Sequence, residues 1–237
     1  MARIGRFCAA LILCYAGSAL AQDVLLTPPT DKYPESMKAI KAYAAKSEWR
    51  IEVPGKGSSP ETVRVLVPSP FRGSQDIAGS VLPTTPRSSI YRFKYIDVPA
   101  SGRRLQPFTF LEVDWNTEGQ PRGPGGSFIT PHYDFHFYVR DRAFVDRMQC
   151  VTTAKVCDSQ KTGHAAMRPF MQLPPNQFLP AKYFPDTDSS IAAMGMHSLD
   201  GAFNYTVDHV NHSPVIIYGS YDNEVAFLEM SLTLYAF

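Results

Sequence analysis

The sequence predicts a mainly β fold, a barrel or sandwich, with a short N-terminal helix and a long proline-rich covering loop. Three observations carry this expectation. Runs of β-branched and aromatic residues alternate with polar ones at a period of two, as in Tyr91, Phe93 and Tyr95 against Arg92 and Lys94. The segment Pro131 to Tyr138 puts His132, Asp134 and His136 on one face of a strand and Tyr133, Phe135 and Phe137 on the other. Near the end, Val215 to Tyr221 and Val225 to Tyr235 flank a turn at Asp222-Asn223-Glu224, which reads as a hairpin.

In chain order, Asp31 to Lys46 predicts a helix, with Pro34 near its start and Met37, Ile40, Tyr43 and Ala44 at helical spacing. Val63, Val65 and Val67 begin the alternating part, followed by the Tyr91 run and a strand from about Leu105 to Trp115. Gly119 to Gly126 is a glycine- and proline-rich loop leading into the His132 strand. Arg142 to Met148 predicts a short helix with Phe144, Val145 and Met148 inward. An irregular stretch to about Ser190 follows, interrupted by Pro169, Pro174, Pro175, Pro180 and Pro185, and is expected to wrap over the sheet. In the last strand Ala226, Leu228, Met230, Leu232 and Leu234 form an apolar face opposite Glu229, Ser231 and Thr233. A chain with two such two-faced strands suits a small barrel or sandwich whose polar faces line a cavity or cleft.

Residues 1–21 read as a signal peptide. Arg3 and Arg6 precede an apolar run from Phe7 to Tyr15, and Ala19-x-Ala21 fits cleavage before Gln22, leaving residues 22–237 as a single β-rich domain. The expected location is therefore secreted or periplasmic. A lipid anchor on Cys14 is disfavoured because Leu11-Ile12-Leu13 lacks the small residue expected before a lipidated cysteine. Cleavage removes two arginines and no acid, taking the net charge from +1 to −1, which argues against nucleic acid as a partner. No further apolar stretch after the leader is long enough for a membrane-spanning helix. The two cysteines left, Cys150 and Cys157, are expected to form a disulfide, since their spacing exceeds a metal knuckle and no second Cys/His pair frames it.

Beyond the opening motif, Met194-Gly195-Met196-His197-Ser198-Leu199-Asp200 supplies another histidine, and Glu229 is an acid within the final strand. His132, Asp134, His136, His197 and Glu229 form a pool of nitrogen and oxygen donors suited to a divalent ion such as Zn, Fe, Mn, Ni or Cu. Geometry narrows this pool. On a regular strand, residues four apart have Cα atoms roughly 13 Å apart and residues two apart roughly 7 Å, so all three motif residues on one ion is disfavoured. The sharper expectation is Asp134 with one flanking histidine, completed by His197 or Glu229. The competing reading is a metal-free polar network, with Asp134 accepting from both histidines and Glu229 meeting Arg140 or a tyrosine. His209 and His212 are expected in a solvated loop before Pro214, and His164 at the surface. No nucleophile elbow, phosphate-binding loop, Cys-x-x-Cys pair or dinucleotide fingerprint is present.

Taken together, Pro131-His132-Tyr133-Asp134-Phe135-His136-Phe137-Tyr138, Met194-Gly195-Met196-His197 with Asp200, Tyr218-Gly219 and Phe227-Leu228-Glu229-Met230 resemble a group of exported bacterial proteins that share a domain of unknown function. The resemblance covers about Phe108 to Phe237. It implies a β-rich fold and a shared cluster at the matching His, Asp and Glu positions, and brings no activity with it. Ser198 departs from the pattern, in which an aromatic residue often follows the histidine. A weaker likeness to cupins concerns architecture alone, because their two-residue His spacing and Gly/Pro framing are absent. Three functions stay open: a metal-dependent enzyme, a small-molecule binder with an aromatic-lined cavity, and a homo-oligomeric envelope subunit.

Overall fold

The computed structural model describes residues 34–54, 62–70, 90–98, 105–116, 130–148, 165 and 167–236. The leader, Cys150 and Cys157, the Gly119 to Gly126 loop and His164 all lie outside the described residues.

A helix α1 (Pro34–Ala44) is followed by two short strands, β1 (Arg50–Glu52) and β2 (Arg64–Leu66), which pair antiparallel as a sheet of their own. The larger sheet is built from β3 (Ile90–Asp97), β4 (Phe110–Asn116), β5 (His132–Tyr138), β6 (Tyr183–Ile191), β7 (Gly195–Asp200), β8 (Val215–Tyr221) and β9 (Glu224–Thr233). Its order is β3-β4-β5-β9-β8-β7-β6, antiparallel throughout. The fold is mainly β, as expected. Of the two architectures anticipated, the described strands give the open, sandwich-like one, because β3 and β6 are outer strands and the sheet does not close on itself.

The alternation read from the sequence decides what each face does. Leu111, Val113 and Trp115 of β4, Tyr133, Phe135 and Phe137 of β5 and Met230 of β9 share one face. Ile40, Tyr43 and Ala44 of α1, Trp49 just before the small sheet, and Ile51 and Val65 within it cover that face, so helix and two-stranded sheet act as the second layer. The aromatic rings interlock edge to face, Tyr43 on Trp49 at 5.3 Å and Trp115 on Tyr133 at 4.9 Å. One polar tie runs through this apolar layer: the Tyr43 hydroxyl donates to the Pro68 carbonyl at 2.6 Å and meets the Tyr133 hydroxyl at 2.8 Å.

On the opposite face, Val145 of the short helix α2 (Arg142–Asp146) with Met148 just after it, and Phe170 of α3 (Arg168–Met171) with Met167 just before it, pack on Phe110, Tyr138 and Phe227. Asp141 caps α2 by accepting from the Phe144 amide at 2.7 Å. The proline-rich stretch thus covers one end of the sheet, and it docks through the Pro169 and Gln172 carbonyls, which accept from Asp222 and Asn223 of the β8–β9 turn. The hairpin expected there is present. Its turn residues Asp222 and Asn223 both have positive φ, 51° and 65°, the backbone that matches strand twist in a two-residue turn.

Two expectations need correction. The irregular stretch ends earlier than expected, because Tyr183–Ile191 is a strand despite Pro185. Its position explains this: β6 is an outer strand, where a missing N–H costs no ladder bond on the open side. His209 and His212 sit in a helix, α4 (Val207–His212), not a loop. Val210, packed on Leu199, Val215 and Ile217, holds that single turn and a half in place, while His212 is exposed.

Tyr43→Phe removes the donor to Pro68 and the partner of Tyr133 together. It is expected to lower unfolding stability by about 1–3 kcal/mol, read from the urea midpoint at unchanged slope. An unchanged midpoint would show that this tie contributes nothing to holding α1 on the sheet.

Candidate metal centre

The polar face of β4, β5 and β9 is assembled by register. Glu112, His136 and Glu229 form one row across the three strands, Asp114, Asp134 and Ser231 the next, and Asn116, His132 and Thr233 the third. All nine side chains are buried, and His197 joins them from β7. Strand alternation sends each of these polar groups to the side opposite Trp115, Tyr133 and Phe135, so burying the apolar face carries the acids and imidazoles into the interior as well.

His136 is the centre of the arrangement. Its Nε2 lies 3.3 Å from Glu229 Oε2, and His197 Nε2 lies 3.4 Å from the same oxygen. Neither ring N–H is aimed at that oxygen well enough to make a hydrogen bond, so the carboxylate oxygen is approached by two nitrogens and bonded by none. The other Glu229 oxygen, Oε1, accepts from Ser231 at 2.8 Å. On its far side His136 presents Nδ1 to Asp114 Oδ2 at 3.7 Å. Two trios of donor atoms therefore converge, His136 with His197 and Glu229, and His136 with Glu112 and Asp114, each with its atoms within 4.8 Å of one another.

His197 reaches this cluster across an intervening strand. β7 and β9 are separated by β8, a gap of roughly 9–10 Å. The residue of β8 opposite both His197 and Phe227 is Gly219, which puts no side chain in the way. The space it leaves is filled by the Phe227 ring: a Cβ at position 219 would lie 2.1 Å from Phe227 Cε1 and Cζ. That ring stands edge to face against His136 at 4.8 Å and His197 at 5.4 Å and forms the apolar wall of the cluster.

His132 and Asp134 form a separate pair. The Thr130 carbonyl stands 2.7 Å from His132 Nδ1, and since a carbonyl has no proton to give, Nδ1 is the donor. His132 Nε2 faces Asp134 Oδ1 at 3.2 Å, and Ser231 stands 2.8 Å from that same oxygen. With one proton, the Ser231 hydroxyl can donate to Asp134 or to Glu229, linking the two carboxylates by alternation.

The charges follow this geometry. Burial pushes the His136 imidazole down, but the carboxylates of Glu229, Asp114 and Glu112 outweigh it and hold it up at about 9. Burial likewise favours the protonated form of Glu229, yet His136 and His197 keep its carboxyl well below the usual carboxylate range. For His132 burial again lowers the value, and Asp134, helped by the Thr130 carbonyl and Glu229, reverses the direction.

Of the five residues the sequence put forward, His136, His197 and Glu229 come together, while His132 and Asp134 pair with each other outside both trios. Asp134 does meet a flanking histidine, His132, but the trio that includes His197 and Glu229 forms on His136, because the row across the strands sets Glu229 beside that imidazole. The expected partner Arg140 instead pairs with Glu224 at 2.8 Å. Glu112 and Asp114 were missed. Their signal was present in Phe110-Leu111-Glu112-Val113-Asp114-Trp115-Asn116, where acids alternate with large apolar residues as they do in the His132 strand. Compared with family models, curated proteins and solved structures, the chain matches none.

Two outcomes follow. Gly219→Ala forces Phe227 off the cluster and is expected to cost about 1–3 kcal/mol, with the aromatic ring shifts of Phe227 and the imidazole resonances of His136 and His197 moving together in NMR spectra. Stabilisation, or silent histidine resonances, would contradict the packing described. In the metal-free protein, the His136 contribution is complete below about 6.5 and lost as pH rises through about 9, a change on the order of 3 kcal/mol. The Glu229 contribution has the opposite sign, present above about 4.5 and lost as pH falls through its lowered value. Urea midpoints should therefore be highest between about pH 4.5 and 6.5 and fall toward pH 9.5, and a flat alkaline limb would refute the His136 assignment.

Proposed function

We propose that this is an exported metal-binding protein in which His136, His197 and Glu229 hold a divalent transition-metal ion. The observation that carries this reading is the spacing of the donors. Bonds of about 2.0–2.1 Å at the tetrahedral angle place neighbouring ligand atoms about 3.3–3.4 Å apart. The two nitrogen-to-oxygen separations are 3.3 and 3.4 Å, and neither is a hydrogen bond. Two imidazoles and a carboxylate are also a donor set common to zinc and to non-haem iron, one that leaves a coordination position for water or a small ligand. An ion there supplies Lewis acidity, and the chain's own residues supply its setting: Phe227 walls it off on one side and Ser231 holds the second oxygen of Glu229. The export leader and the resemblance to exported bacterial proteins support a secreted or periplasmic setting.

The other reading, a polar network without metal, is favoured by one specific observation in the His132 half of the motif. The Thr130–His132–Asp134 chain is satisfied by protons alone. The motif thus divides into a proton-held pair and a metal-holding residue two positions on. Elemental analysis of untagged protein expressed in the periplasm should find transition metal at one or more equivalents per chain. His197→Ala and Glu229→Gln should abolish the ion shared with His136, whereas His132→Gln should retain it. Metal-free protein of undiminished stability after expression in metal-replete medium would overturn the proposal.

A further inference from the structure

The same register that places Glu229 beside Nε2 of His136 places Glu112 on its other side, from β4, with Asp114 in the next row. We infer that Glu112, Asp114 and His136 Nδ1 form a second cation site, so that the His136 ring bridges two divalent ions. This rests on the first site being a metal site and extends it to a paired centre.

Three observations support the inference. Glu112, Asp114 and His136 offer one donor atom each within 4.8 Å of the others, and their relative exposures are 0%, 0% and 1%. His136 Nδ1 is buried, makes no hydrogen bond and points toward Asp114 Oδ2 at 3.7 Å. A metal-ligating histidine ordinarily uses its second nitrogen to donate to a carboxylate or carbonyl. At 3.7 Å that bond is not made, and the gap is one that an ion bonded to both atoms at about 2.1 Å spans with a bond angle of roughly 120–125°.

Donor chemistry gives the third. An ion bound at Nδ1 while Nε2 serves the first site takes the place of the ring's remaining N–H proton, which leaves to solvent. Carboxylate and imidazole donors without thiolate suit zinc, copper, manganese or iron rather than a soft ion.

The test uses the full secreted chain, stripped of metal by chelator and reloaded with Zn(II) or Cu(II) alone. Zinc content should reach two per chain in the wild type and fall to one in the Glu112→Gln/Asp114→Asn double variant. With Cu(II), the wild type should show an electron paramagnetic resonance signal well below the spin count expected from its copper content, because ions sharing one imidazole ring are magnetically coupled. Full spin intensity should return in the double variant. The wild-type copper spectrum needs no variant to fold. One zinc per chain in the wild type overturns the second site and leaves the first standing. Two zinc ions in both proteins, or uncoupled copper at two per chain, places the second ion elsewhere and also overturns the inference. No bound metal at all removes both sites.

Discussion

The structure depends on one row of side chains, Glu112, His136 and Glu229, lying abreast on three neighbouring strands. β5 is buried on both faces along its whole length, so none of its polar residues can turn to solvent. An imidazole between two carboxylates is what this position can tolerate: each acid has an opposite charge within reach, and the ring is drawn toward both. The alternative, an acid in that interior without a cation, costs several kcal/mol and is avoided in folded proteins by protonation, pairing or metal. Here pairing is built into the register itself.

The two faces of the sheet are therefore not independent. The aromatic layer of Trp115, Tyr133 and Phe135 under α1 sets which residues of β4 and β5 face inward on the other side, and a one-residue slip would exchange acids for aromatics throughout. Apolar burial provides the drive, and the polar row punishes every register but one. Phe227 and Gly219 extend the same logic to the third strand away. A residue without a side chain lets one imidazole cross a strand, and a ring fills the space beside it and packs against both imidazoles.

Much of this was legible in the sequence where the information is local. Period-two alternation gave the His132 strand, its two faces and the final hairpin, and helical spacing gave α1 to within a turn. What alternation cannot reveal is which strand lies beside which. His136 meets Glu229 because β9 inserts between β5 and β8, a non-local pairing that no spacing in the chain encodes. The pairing of Asp134 with His132, near in sequence, was within reach of the chain's spacing, whereas that of Glu229 with His136 was not. Glu112 and Asp114 were a different kind of miss, since their alternation was readable. Acids alternating with tryptophan and valine have the pattern of a half-exposed strand, whereas a central position buries both faces. Pro185 and the α4 histidines show the converse, local signals of loop overridden by an open sheet edge and by the packing of Val210.

The place of β9 also fixes a sequence of events. Ser231 and Asp134, in contact across the centre of the sheet, are separated by 97 positions in the chain, and His197 comes from a third region. Loop closures of that length make such sheets slow to form, and until they close the donor atoms are scattered along an open coil with no preference for a metal. On the proposed reading, metal capture would be a late step that reports a finished sheet, and release would be slow for the same reason, because an ion enclosed by Phe227 and three buried ligands could leave only when strands part. Such a centre would hold its ion by kinetics as much as by affinity.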